Sequence, residues 1–173
     1  MPHIHELYDF TASAYILHPT EPKICLHLHK KLNKWMQVGG HVELDEDPEQ
    51  ALTHEMEEET GLKRDQYEII QVHDQPATDG HKQMPLPISV NVHPMKDSVL
   101  PNHKHIDLVF LVKSKTDVLR PQEGESQKIG WFTRKEIEDL KASEKLFPGN
   151  YNTCVWILDH PKLKSVVADP KKK

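Results

Sequence analysis

No stretch of this sequence comes near the roughly 20 consecutive apolar residues that a membrane-spanning helix needs, so no helical membrane anchor is expected. Cysteine is almost missing: Cys25 and Cys154 stand far apart and without CxxC spacing. That excludes a zinc knuckle or a disulfide framework and fits a reducing cytoplasm. A basic surplus is missing too. The 22 lysines and arginines against 27 aspartates and glutamates give a net charge of −5. The cations are scattered rather than striped, so no surface for long nucleic acid is expected. Residues 1–6 carry histidines and an acid where a secretory leader would be basic and apolar, which again favours a cytoplasmic protein.

What is present suits one globular domain. The chain has 173 residues, 36% of them hydrophobic and 28% charged, enough to bury a core without filling two domains. We expect a single domain over residues 1–168 and a disordered basic tail over 169–173. Thirteen histidines are unusual for this length and call for an explanation.

Apolar residues run almost continuously over 9–17 and alternate over 24–29, predicting two strands. The second strand sets His27 and His29 on the face opposite its leucines. Further strands are predicted over 67–73, 86–92, 105–113 and 128–132; the one at 105–113 is apolar on both faces and therefore central. Thr133 followed by Glu136 predicts a helix cap, with the helix reaching about Leu140, and another helix is predicted over 151–160. Strands mixed with helices indicate one α/β or α+β domain.

The most complete local signal begins at Asp47. Asp at the cap, Pro48 at the first helical position, Gln50 three residues after the cap and Gly61 beyond the end predict a helix over 48–60. Ala51, Leu52 and Met56 form its buried stripe, whereas Glu55, Glu58 and Glu59, at i, i+3 and i+4, share another face. Three carboxylates so placed can hold a hard divalent cation together with a backbone oxygen from the preceding Gly39–Gly40 turn.

Residues 40–62 run Gly40, five residues, Glu46, seven residues, then His54-Glu55-Met56-Glu57-Glu58-Glu59-Thr60-Gly61-Leu62. This resembles the Nudix box: Gly, five residues, Glu, seven residues, Arg-Glu-apolar-any-Glu-Glu-any-Gly-apolar. Every specified position agrees except 54, where histidine replaces arginine. The double-glycine turn after Trp35–Val38, and the Gly130–Thr133 segment leading into an acidic helix, are similar to Nudix domains as well.

The resemblance implies a mixed β-sheet sandwiched between α-helices. It also implies hydrolysis of a diphosphate bond in a nucleoside diphosphate-linked small molecule, by a monomer or homodimer. Mg2+ is the implied ion, with Mn2+ as a substitute, held by Glu55, Glu58, Glu59 and the Gly39 carbonyl. The base implied is Glu58 or a loop acid, Glu123 or Glu125. In the family the arginine orients a neighbouring carboxylate; His54 can do so only as an imidazolium, which the surrounding acids favour.

His103, His105 and Asp107 alternate along one predicted strand, and His41 follows the glycine turn. With His27 and His29 these are expected to line a substrate pocket, or to bind a transition metal if several converge. Substrate choice is expected to reside in loops 74–85 and 95–104. Two alternatives stay open on the sequence: a catalytically weakened nucleotide-binding module and a histidine-rich metal-binding protein.

Overall fold

The computed structural model describes residues 7–77, 79–95, 101–161 and 163. The expected basic tail at 169–173 lies outside them. The strands in chain order are β1 (Tyr8–Leu17), β2 (Lys23–His29), β3 (Lys34–Met36), β4 (Val38–His41), β5 (Tyr67–Ile69), β6 (Ser89–Pro94), β7 (Lys104–Ser114) and β8 (Ile129–Thr133). The helices are α1 (Pro48–Thr60), α2 (Arg134–Ala142) and α3 (Pro148–Asp159). No helix among the described residues is long and apolar enough to cross a membrane.

The sheet is mixed. β1 and β7 run parallel at its centre, in register from Tyr8 opposite Lys104 to Leu17 opposite Lys113. β2 and β4 both pair antiparallel with β1, β5 and β6 pair with β7, and β8 pairs with β2. The two-residue period of β1 and β7 then divides the core. Ala12, Ala14, Ile16, Phe110 and Val112 face one way and pack against Ala51, Leu52 and Met56 of α1. Tyr15, Leu17, Val109 and Leu111 face the other way, under Ile137 of α2 and Cys154 and Ile157 of α3. Helices thus cover both faces, as expected, and β7 is central.

Three boundaries differ from expectation by three residues or more, for local reasons. The strand expected over 67–73 is regular only to Ile69; Ile70 keeps a bond from its N–H to the Leu111 carbonyl, and Ile70 and Val72 then pack on the second core cluster. The strand expected from Leu86 begins at Ser89, because Pro85 and Pro87 have no N–H to offer the ladder. α3 starts three residues earlier than Tyr151, with Pro148 in its first turn, where a missing N–H costs nothing.

Candidate active site

α1 occupies the expected span and is closed at both ends. The Asp47 side chain accepts the N–H groups of Glu49 and Gln50, and the Gln50 side chain accepts that of Asp47. Gly61 ends the helix at φ 75°, its N–H bonded to the Glu57 carbonyl. A reciprocal cap and a left-handed stop fix the helix's length. With its Ala51, Leu52 and Met56 stripe buried, its rotation is fixed too.

This orientation brings two helix carboxylates against Gly39 and Gly40, which the structure places inside β4, paired with Ser13 and Ala12 of β1, and not in the turn expected. Glu59 is 9% exposed, and its Oε2 accepts the Gly39 N–H at 2.8 Å. A Cβ on Gly40 would overlap Glu55 Oε1; only glycine leaves that carboxylate its place. The other oxygen of Glu59 lies 3.1 Å from Nδ1 of the buried His27.

The electrostatics follow from burial. Glu59 is pushed up to about 8 and Glu55 to about 7, mainly by desolvation, with the neighbouring Glu58 and Glu125 charges adding to both. The Gly39 N–H pulls Glu59 the other way but does not win. Burial also lowers His27 to about 4. In the cation-free protein near neutral pH, His27 and Glu59 therefore meet as a neutral imidazole and a largely protonated carboxyl, because the pocket disfavours charge on either partner.

His54 bridges the remaining acids. Its Nδ1 is 3.2 Å from Glu46 Oε1 and its Nε2 is 3.1 Å from Glu58 Oε1. The Glu58 hydrogen bond first, and the Glu46 charge with it, raise the pKa of His54 despite some desolvation. The imidazolium expected from sequence is what these contacts favour. A protonated ring has two opposed N–H donors and can span two carboxylates much as an arginine fork does.

The loop before β8 docks on the end of α1. The Arg120 and Gln122 N–H groups bond to the Thr60 and Glu58 carbonyls at 2.7 and 2.8 Å. This brings Glu125 close enough for its charge to raise both Glu55 and Glu59. Glu123 is exposed. Between the two loop acids, the geometry favours Glu125.

The histidines do not form the single expected pocket. His27 and His29 lie on the α1 side of the sheet, the side of Cys25 and Ile16. His41, His103, His105 and Asp107 lie on the opposite side, the side of Ser13, Tyr15 and Val109. His27 is buried against Glu59 and does not line an open surface. Asp107 is also buried, and accepts the hydroxyls of Thr11 and Ser13 at 3.0 Å each, a tie between β1 and β7. His41 turns away from Glu55 because it alternates with Gly40 on the same strand.

Two participants carried no distinguishing signal in the sequence. Asp9 stands beside His41, 3.9 Å from its Nε2, and accepts from His103 Nε2 at 2.8 Å; only the parity of β1 marks it. Lys82, in the 74–85 loop, pairs with Asp47 at 2.7 Å and Glu49 at 3.3 Å, clamping that loop to the start of α1. Beside it, loop residues and Leu108 and Phe110 line a cleft of about 590 Å³.

A capped acidic helix, a glycine pair on a strand pressed against its carboxylates and a mixed sheet between helices define a class of pyrophosphate-cleaving hydrolases. The NUDIX domain family pattern matches residues 9–152, and the chain belongs to the Nudix hydrolase family. A solved Nudix-family hydrolase from Clostridium perfringens is 30% identical, with a TM-score of 0.67 over 87% of this chain and 96% of that one. An Ap4A hydrolase from C. elegans, in a binary complex, is 16% identical (TM-score 0.59, 85% and 93% covered). The dihydroneopterin triphosphate pyrophosphohydrolase of E. coli is 12% identical (TM-score 0.61, 88% and 98% covered). These last two share the fold. None of the curated proteins matches the sequence.

Proposed function

We propose that this Nudix hydrolase, one domain over residues 1–168, cleaves the diphosphate bond of a nucleoside diphosphate-linked small molecule. The observation that carries the reading is the meeting of Glu55 and Glu59 with the Gly39–Gly40 pair of β4, beside Glu58 on the same helix face. The donor set suits a hard divalent ion: carboxylate oxygens, two of them on groups whose charge burial disfavours until a cation compensates it. Glu55, Glu58, Glu59 and the Gly39 carbonyl would hold Mg2+, or Mn2+ in its place. When bound, the ion supplies charge neutralisation at the phosphates and acidifies a water.

The chain's own residues do the rest. His54 keeps Glu46 and Glu58 in place through its two nitrogens. Glu125 or Glu58 takes the proton from the attacking water, and the glycine pair of β4 keeps Glu55 and Glu59 fixed without side chains of its own. The cleft under the 74–87 loop is the candidate seat for the group attached to the diphosphate.

The test is a hydrolysis screen of ADP-ribose, nucleotide sugars, dinucleoside polyphosphates and nucleoside triphosphates, with Mg2+, Mn2+ or chelator. Metal-dependent release of a nucleoside monophosphate from a diphosphate-linked compound is expected. Ligand-induced stabilisation with no product from any of them would make the protein a binding module instead.

His54 gives a pH signature. Its pKa is raised, so the bridging imidazolium is present at low pH and is lost as pH rises through that raised value. At saturating Mg2+, where the helix carboxylates are already ionised, kcat should fall on the alkaline side by up to about tenfold. His54→Arg, charged throughout, should flatten the fall. Identical profiles for the two proteins would remove His54 from the mechanism.

A further inference from the structure

On the sheet face opposite α1, the register aligns potential ligands across four adjacent strands. β1 lies between β4 and β7; Thr11 opposes His41 and Asp9 opposes His105, while His93 on β6 opposes His105 from the other side. His41 Nε2 and His105 Nε2 face each other at 3.3 Å. With one oxygen of Asp9, the three ligand atoms lie within 4.8 Å of one another.

We propose that Asp9, His41 and His105 form a second metal site, for a divalent transition ion of the zinc, cobalt or nickel class, separate from the carboxylate site on α1. Ligand atoms bound at about 2.0–2.1 Å around a tetrahedral ion lie about 3.3 Å apart. The two imidazole nitrogens are at that separation now, and Asp9 Oδ2 lies 3.9 Å from His41 Nε2. Two imidazoles and one carboxylate select borderline ions over Mg2+, which takes oxygen.

Supporting contacts are in place. His103 Nε2 holds Asp9 Oδ2 at 2.8 Å, the kind of outer contact that fixes a ligating carboxylate. His105 is half-buried, with the rings of His41, His103 and His93 packed around it. Asp9 and His41 are exposed, leaving solvent access and open coordination positions. His93, its ring centroid 5.8 Å from that of His105, flanks the site as a further donor. The α1 carboxylates lie on the other face of the sheet, so the two sites are separable by mutation.

The experiment is a Co2+ titration of the metal-stripped full chain in excess Mg2+, followed by visible absorption and calorimetry. One equivalent should bind with the intense bands of nitrogen-ligated low-coordinate cobalt, and one equivalent of Zn2+ should displace it. His105→Ala and His41→Ala should each weaken Co2+ binding at least about tenfold, while the Mg2+-induced thermal shift persists as proof of folding. Binding should survive Glu59→Gln, and also His3→Ala with His5→Ala, which removes the other histidine pair near the chain start. No saturable equivalent in the wild type, loss of the bands in Glu59→Gln, or their survival in both His41→Ala and His105→Ala would each overturn the site.

Discussion

Glu59→Gln should lower kcat by about a hundred- to a thousandfold while making the metal-free protein more heat-stable above pH 8. The first half follows if Glu59 is the charged ligand proposed above, whose loss is worth several kcal/mol at about 1.4 kcal/mol per decade. The second follows from linkage. Burial raises the folded-state pKa of Glu59 from 4.5 to about 8, so the folded protein holds this proton more tightly than the unfolded chain does. The stability this confers is complete below about 4.5 and is lost as pH climbs through 8. Glutamine has no proton to lose. The difference at pH 8.5 is on the order of a few kcal/mol, or several degrees in Tm.

A cation should reverse the wild type's deficit by binding the ionised form, so Mg2+ should raise the wild-type Tm more at pH 8.5 than at pH 6 and leave Glu59→Gln nearly unmoved. Thermal scans with and without Mg2+ at the two pH values measure all of this. A variant that melts earlier at pH 8.5 and keeps the full Mg2+ shift would mean that Glu59 is not a ligand.

Gly40→Ala and Gly39→Ala should fail in opposite ways. A methyl group on Gly40 meets Glu55 Oε1, the mobile end of a long side chain, so the carboxylate moves and the backbone does not. Stability should change by less than about 1 kcal/mol. Activity should drop about a hundredfold, the usual result of displacing a positioned group by an ångström. A methyl group on Gly39 meets the Ala12 carbonyl oxygen and Ser13 Cα, at a φ of 143° that side chains avoid, and should cost about 3 kcal/mol or more. Denaturant melts with steady-state rates separate the two. A fully active Gly40→Ala enzyme would show that Glu55 does not need its present position.

The sequence made α1 legible to the residue because its signals are local: cap, proline, apolar stripe and stop glycine lie within fifteen positions, and backbone sterics read them directly. The imidazolium character of His54 was legible for the same reason, since two of its acidic neighbours lie at fixed offsets on and before the helix. What escaped was sidedness. Alternation shows that His103, His105 and Asp107 share a face and that His27 and His29 share one. Whether those are the same face depends on how β7 lies parallel to β1 and β2 antiparallel to it, a pairing between segments some 90 residues apart. Asp9 was invisible on the same account: an aspartate near the start of a strand means nothing until β4 and β7 are set beside it. Conversely, proline chemistry at 85 and 87 was in plain view, and accounts for a strand that begins later than its apolar run.

The two amides that the loop before β8 donates to the last turn of α1 bind the fates of both segments. If residues 120–122 move outward, the Thr60 and Glu58 carbonyls lose the Arg120 and Gln122 amides as partners, and only the Gly61 cap still holds the helix end. The position of the loop and the order of the helix end are thereby linked through two backbone hydrogen bonds. A lesion at Arg120 or Pro121 would reach the acids through these backbone bonds to α1.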